Sequence, residues 1–448
     1  FELILIHSSL CDRRIMSNFT GLIGIMVFVG IAVLMSNNRK KINYKTVGVG
    51  FLLQVLLAVF ILKVPVGQQI FAFIAQIINK ILAASMEGAA FVFGDKLTDT
   101  VNFGFIYAIM LIATMIFIMS LVNILYYYGI MQRIILFLGK IMNKLMDVSG
   151  AEALSNCASP FVGNVAAQSM IKPYLPNLTR SELLSSMTGS TACLSAGCLA
   201  MYGSANFGIP LEYLLAASVM SAPGAFVISK IVYPETEEPQ TKDDFKISRR
   251  KTDANVLAAI SKGAGDGMKV SLNVIASLIA LVGLIAFVNV IFGKVGLFLA
   301  TTCHMDWSAI GIDLNHFTLE MVIGKIFSAF AWVMGASAGT VESVGQLIGE
   351  KLILNECVAY LHFPQLFDGH IVNGVMTFAP QFNKSIAIAT FALAGFANLS
   401  TVAIQIGGIG ELAPTQRKNL ARLAIKAMIC GTLTSYVSAC IAGIVVSL

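Results

Sequence analysis

Two islands of polar residues set in apolar sequence are where this chain could do chemistry. The first, GEKLILNECVAY at 349–360, carries Asn355 and Glu356; the second, GFANLSTVAIQIGGIGELAP at 395–414, carries Asn398, Ser400 and Thr401. A carboxylate at membrane depth costs about 2.5 kcal/mol or more, so such groups usually mark a solute pathway or a binding site.

Depth is the right frame because of the composition. Of 448 residues 57% are hydrophobic and only 12% charged, and the mean hydropathy is +0.80. Soluble domains carry about 25% charged residues. Apolar runs of about 20 residues recur and strand-like alternation is absent, which predicts an all-α integral membrane protein and excludes an outer-membrane barrel. The net charge of +6 sits in short clusters between apolar runs, where membrane topology explains it and nucleic acid does not. The eight cysteines form no C-x-x-C pair, and the five histidines no H-E-x-x-H motif, so neither a disulfide framework nor a zinc site is indicated.

The elements that must position the islands follow in order. Residues 1–15 precede Met16 and read as sequence upstream of a natural start; spans at about 19–35 and 46–63 follow. Between them Arg39, Lys40, Lys41 and Lys45 mark a cytoplasmic loop, which puts the N-terminus outside. Residues 66–83 space their Phe and Ile as an amphipathic helix in the outer interface, too polar to cross. A third span at 104–129 and an inner amphipathic helix at 130–147 complete a scaffold over 16–147.

Residues 150–176 are apolar but interrupted at Pro160 and Gly163, which predicts a re-entrant hairpin from the cytoplasmic side. With spans at 182–203 and 211–231 it forms a first transport half, 148–233. The charged stretch 234–256 and an amphipathic segment 257–268 make a cytoplasmic linker, 234–268. A second half, 269–448, holds a span at 270–292 and a broken apolar unit at 322–335 and 337–360 that enters from outside. Its last spans are 385–407, interrupted near Asn398, and 424–446. The sum is about eight transmembrane helices, two opposed re-entrant hairpins, interfacial amphipathic helices and both termini outside: an inverted-repeat transport core.

Four stretches resemble the concentrative nucleoside transporter family: VSGAEAL (148–154), IKPYLPNLTRSELLSSMTG (171–189), GEKLILNECVAY and FALAGFANLSTVAIQIGGIGELAP (391–414). The resemblance runs over nearly the whole chain after Met16. It implies a homotrimer in a bacterial inner membrane, importing nucleosides by alternating access on a sodium or proton gradient, with no other cofactor and no nucleic-acid partner. It also implies that Glu356, Asn398 and Thr401 hold the ribose, with Phe396 lining the site. A carboxylate and an amide suit a vicinal diol, because each hydroxyl must find a partner once desolvated.

The first half departs from the family pattern. Where the family has Gly-Gln-Thr-Glu or Gly-Gln-Asn-Glu to read the base, this chain has Gly163, Asn164, Val165 and Ala166. The resemblance places a sodium site at Ser159, Val162, Cys193 and Leu194. Ser159 stands where Asn is often found and Cys193 where a hydroxyl residue is usual, and a hard cation prefers oxygen to thiol. In one reading the protein still grips ribose but reads the base differently, through Asn164, Gln168 or water, with ion coupling weakened or moved to protons at Glu356. In the other the changes, natural or engineered, leave a transport-impaired nucleoside-binding variant, or the chain carries a related non-nucleoside solute. No catalytic constellation points to an enzyme.

Overall fold

The computed structural model describes residues 19–98, 104, 106–204, 207–242, 253–307, 312–372 and 375–447. The expected start at Met16 and residues 243–252 of the charged linker lie outside the described residues.

The chain begins with α1 (Phe19–Leu34), α2 (Tyr44–Leu62), α3 (Pro65–Phe93), the single turn α4 (Asp95–Thr98) and α5 (Tyr107–Tyr127). The amphipathic α6 (Ile130–Met146) follows, then α7 (Gly150–Val162), α8 (Asn164–Met170), α9 (Arg180–Ala192), α10 (Ala196–Tyr202) and α11 (Leu211–Val232). The second half holds α12 (Val256–Thr301), α13 (Leu319–Val333), α14 (Val341–Ile353), α15 (Glu356–Leu366), α16 (Asn383–Leu393), α17 (Leu399–Leu412) and α18 (Arg417–Ser447). A small antiparallel ribbon, β1 (His370–Val372) with β2 (Val375–Thr377), lies between α15 and α16; the sequence reading did not anticipate it.

Among the described residues seven helices are long and apolar enough to cross a membrane, α9 with α10 counting as one. The fold is that of an all-α integral membrane protein. Six of the expected spans coincide with these helices; α1 is shorter, and the span at 385–407 is divided into α16 and α17. The seventh is α3, which contains the segment expected as an interfacial amphipathic helix and meets the length and composition of a span. Pro65 starts it at the first turn, and nothing interrupts it until Gly94, at φ 87°, closes its end. The expected boundary between 257–268 and 270–292 is likewise absent. With no proline to break it, α12 runs unbroken for 46 residues, about 69 Å at 1.5 Å per residue. It lies along α5 because Gly263 and Gly267 present no side chain to the Met115–Ser120 backbone.

The first re-entrant hairpin is α7 and α8, turned at Gly163, whose φ of 86° a β-carbon would strain. Both α7 and α9 start with a capping box, Ser149 with Glu152 and Thr179 with Glu182. Lys230, near the end of α11, ties the two starts together: its Nζ lies 2.8 Å from Glu152 Oε2 and donates to Ser181 Oγ at 3.0 Å. Since α7 and α9 begin at one level, the chain between them must enter and come back.

The second half repeats this construction. Thr340, just before α14, shares a 2.6 Å hydrogen bond with Ser385 in the first turn of α16. At the far end Lys351 Nζ of α14 donates to Ala392 O of α16 at 2.8 Å. The chain therefore turns back in the second hairpin, α14 and α15, and the turn falls at Leu354–Asn355. Segment 322–335, expected inside this unit, belongs mainly to α13, a separate helix packed along α14.

The halves oppose one another along α18. Thr191, near the end of α9, donates to Ala427 O at 3.1 Å, while Gly443, four turns further on, meets Ile388 of α16. Gly395, just past α16, closes against the Thr191 and Ala192 carbonyls. Two broken helices thus come from opposite ends and stop at one centre.

The Lys230–Glu152 pair is buried on both sides, so removing the cation leaves an uncompensated carboxylate in the protein. Lys230→Ala is expected to cost about 3 kcal/mol or more, read as a lower thermal unfolding midpoint in detergent. An unchanged midpoint would show that Glu152 needs no counter-ion.

Candidate functional site

The site grows from two helix starts that lie inside the protein. Asn355 caps α15, its Oδ1 accepting from Val358 N at 3.0 Å, which places Glu356 at the first helical position. Asn398 caps α17 in the same way, accepting from Thr401 N at 3.0 Å and from Thr401 Oγ1 at 3.0 Å. Asn is among the best residues at this position because its side chain satisfies an amide that the broken helix leaves unpaired. The remaining end of Asn398 reaches across: Nδ2 donates to Glu356 Oε2 at 2.9 Å. Glu356, Asn398 and Thr401 are all buried, and Ser400, exposed, donates to Asn398 Oδ1 at 2.7 Å. The structure therefore brings together the expected carboxylate, amide and hydroxyl, with half-buried Phe396 two residues before the cap.

The inner hairpin meets the same helix one to two turns further along. Asn164 Oδ1 accepts from Gln405 Nε2 at 3.3 Å, and the space a side chain at Gly408 would need is filled by Val165. Ala166 is exposed and brings no polar group. Gln168, considered above as a base reader, is excluded by its surroundings. Its Nε2 donates to Ser155 Oγ at 3.0 Å, Ser190 Oγ at 2.9 Å and Ser186 O at 3.1 Å, and its Oε1 accepts from Ser186 Oγ at 2.7 Å. A fully engaged, fully buried amide clamps α8 to α7 and α9 and has nothing left for a solute.

The four expected sodium ligands sit at the adjoining breaks of α7–α8 and α9–α10, where Gly163 and Ser195 approach each other. Ser159 Oγ donates to Ser155 O at 2.9 Å and lies 3.3 Å from Ser190 Oγ, while Cys193 Sγ bonds Gly189 O at 3.3 Å. Val162 and Leu194 contribute backbone carbonyls at helix breaks. The oxygen donors fit a hard cation; the thiol does not, which leaves the set one donor weaker.

Three buried groups of this region were passed over in the sequence. Lys351 is fully buried at the end of α14, within electrostatic reach of Glu356, so the carboxylate does not stand alone. Glu350, its neighbour, is also fully buried and held by His362 at 3.0 Å and Gln346 at 2.8 Å. Gln405 is fully buried between Asn398 and the hairpin tip. All three were visible as polar residues within apolar runs, the same signal that drew attention to Glu356. Tyr202, stacked on Tyr360 at 4.2 Å, packs its hydroxyl 2.7 Å from Cys357 Sγ beside Glu356. A cavity of about 1330 Å³ reaches Val162 and Ala166 from the side of Tyr126, Arg133, Lys172 and Lys262.

Comparison with known proteins agrees with this geometry. The family pattern described as "Na+ dependent nucleoside transporter N-terminus" matches residues 23–96, "Nucleoside recognition" matches 108–206, and "Na+ dependent nucleoside transporter C-terminus" matches 213–443. The chain is 41% identical to an uncharacterized transporter of Haemophilus influenzae, over 97% of this chain and 99% of that one. It is 36% identical to the nucleoside permease NupC of Helicobacter pylori, over 97% and 99%. The solved structure of CNTnw in an inward-facing, substrate-bound state superposes with a TM-score of 0.85 at 36% identity, covering 96% of this chain and 98% of that one.

The two roles of Asn398 can be separated. Asn398→Ser keeps a capping oxygen for α17 and loses the reach to Glu356; Asn398→Ala loses both. The Ser variant is expected to be more stable than the Ala variant by about 1 kcal/mol, measured as the difference in unfolding midpoint. Equal midpoints would mean that the cap contributes nothing.

Proposed function

Because the chain belongs to the concentrative nucleoside transporter family, we propose that it imports nucleosides across a bacterial plasma membrane by cation-coupled alternating access. It is a membrane transporter and not an enzyme. The observation that carries the reading is the 2.9 Å bond between Glu356 and Asn398, which joins a carboxylate and an amide at two internal helix starts. Glu356 accepts from the ribose hydroxyls, Asn398 and Thr401 take the remaining hydrogen bonds, and Phe396 lines the sugar. These groups hydrogen-bond one another, so a diol can replace their mutual bonds without leaving a buried group unpaired. The base lies toward Gly163, Asn164, Val165 and Ala166, where polar groups are few.

A sodium ion supplies the free energy of its gradient. Ser159 Oγ and the carbonyls of Val162 and Leu194 are the groups that hold it, with Cys193 the weak member; protonation of Glu356 is the alternative source of coupling. The cavity beside Ala166 is the release path toward the basic, cytoplasmic side, which leaves both termini outside. The exposed apolar length of α12 faces lipid and the other copies of a homotrimer.

Uptake of labelled nucleosides into proteoliposomes under imposed sodium or proton gradients tests this. Glu356→Gln is expected to reduce uptake roughly 10- to 100-fold, the range for losing hydrogen bonds to a charged group. Free uracil or adenine carried as well as its nucleoside would overturn the ribose grip. Cys193→Ser restores an oxygen, so half-maximal uptake is expected at a lower sodium concentration; an unaltered sodium dependence would remove Cys193 from the ion site.

A further inference from the structure

The hairpin tip offers one polar side chain that could read a base, Asn164, and one buried amide nearby has an unused end. Gln405 is fully buried on α17, and its Nε2 donates to Met187 O at 2.9 Å as well as to Asn164. A carbonyl partner fixes which end of the amide is nitrogen. Gln405 Oε1 is buried and accepts no hydrogen bond among the described residues. Burying an acceptor without a donor is unfavourable, and such an orphan needs an explanation.

Its position along the helix supplies one. Asn398, Thr401, Gln405 and Gly408 follow a three, four, three spacing and so form one stripe of α17. Asn398 faces Glu356 at one end, and Gly408 meets Val165 of the hairpin tip at the other. Gln405 lies four residues past Thr401, about 6 Å along the axis, which is the scale of the offset between ribose hydroxyls and the far edge of a pyrimidine. A group at that offset meets the base when the sugar sits at Thr401.

We infer that Gln405 reads the nucleobase, its Oε1 accepting a ring or exocyclic N–H while Asn164, released from the 3.3 Å bond, turns to the base as a second amide. This rests on the ribose-binding assignment and adds an amide to the single one, Asn164, that the hairpin tip offers the base. Gln405 is thereby a specificity-determining residue, and the preferred substrates are nucleosides with an N–H donor on the base edge. The Met187 bond holds the amide in register, so α9 orients the reader.

Competition with labelled uridine uptake separates this from a packing role. Uridine and 5-methyluridine, which keep the N3–H, are expected to compete alike, and 3-methyluridine, which lacks it, at least about tenfold less well. Gln405→Met keeps the side-chain length and should erase that discrimination while leaving the preference for uridine over 3′-deoxyuridine intact; Thr401→Val should do the reverse. Equal competition by 3-methyluridine in the wild-type protein overturns the inference without any variant. So does a Gln405→Met variant that weakens all nucleosides by one factor. If no nucleoside is carried or competes at all, the transport reading itself fails, a result distinct from either.

Discussion

A helix that stops inside a membrane protein leaves amide hydrogens without partners, and there is no water in the hydrocarbon to take them. This constraint governs the centre of the molecule. Asn355 and Asn398 meet it by capping α15 and α17, and the cap geometry then dictates where Glu356 and Thr401 lie. The carboxylate sits at the start of α15, where the partial positive charge of the first turn favours an anion. The second helix start has no acid of its own and is served by Glu356 from across the gap. One pair of asparagines therefore ends the orphaned backbone, fixes the carboxylate and aims it.

The same economy explains why two hairpins suffice. In each half a hairpin strand and the following broken helix start together at one surface and end together at the centre. Lys230 with Ser181 and Glu152 joins the starts in one half; Ser385 with Thr340 joins them in the other. Serines between α7, α8 and α9 make one half a rigid polar clamp around Gln168, whereas Lys351 and its carbonyl partner tie the second half with a charge. The halves share a layout without sharing residues, which is why topology revealed the repeat and residue-by-residue comparison did not.

Much of this was legible in the sequence, and the gaps have physical causes. Glu356, Asn398 and Thr401 stood out because polar residues in apolar runs need partners. Lys351 and Gln405 obeyed the same rule and were passed over, although each lies in the same apolar run as a residue that was singled out. The second hairpin turns at Asn355 and not at one of the glycines before it, since the Asn355 cap supplies the acceptor that the start of α15 lacks while a glycine only permits a bend. The break at Cys193–Ser195 carries no proline and no left-handed glycine to mark it; Gly395 of the other half packs there against the Thr191 and Ala192 carbonyls, a partner about 200 positions away. Gln168 was misjudged for the opposite reason, since its serine partners lie 13 to 22 positions away.

The two hairpins are joined to α17 with unequal strength. On the side of the second hairpin, α15 is joined to α17 by a hydrogen bond to a carboxylate at 2.9 Å, a class worth about 1.5–3 kcal/mol. On the side of the first hairpin, α8 meets α17 through a neutral amide bond at 3.3 Å and the packing of Val165 over Gly408, together nearer 1 kcal/mol. The cavity beside Ala166 opens next to the weaker contact. Ala166 brings no charge to that contact, so separating α8 from α17 breaks weaker bonds than separating α15 from α17. In the transport reading proposed above, a solute bound to both ends of the α17 stripe would add its own bonds across the weaker gap and so hold α8 against α17.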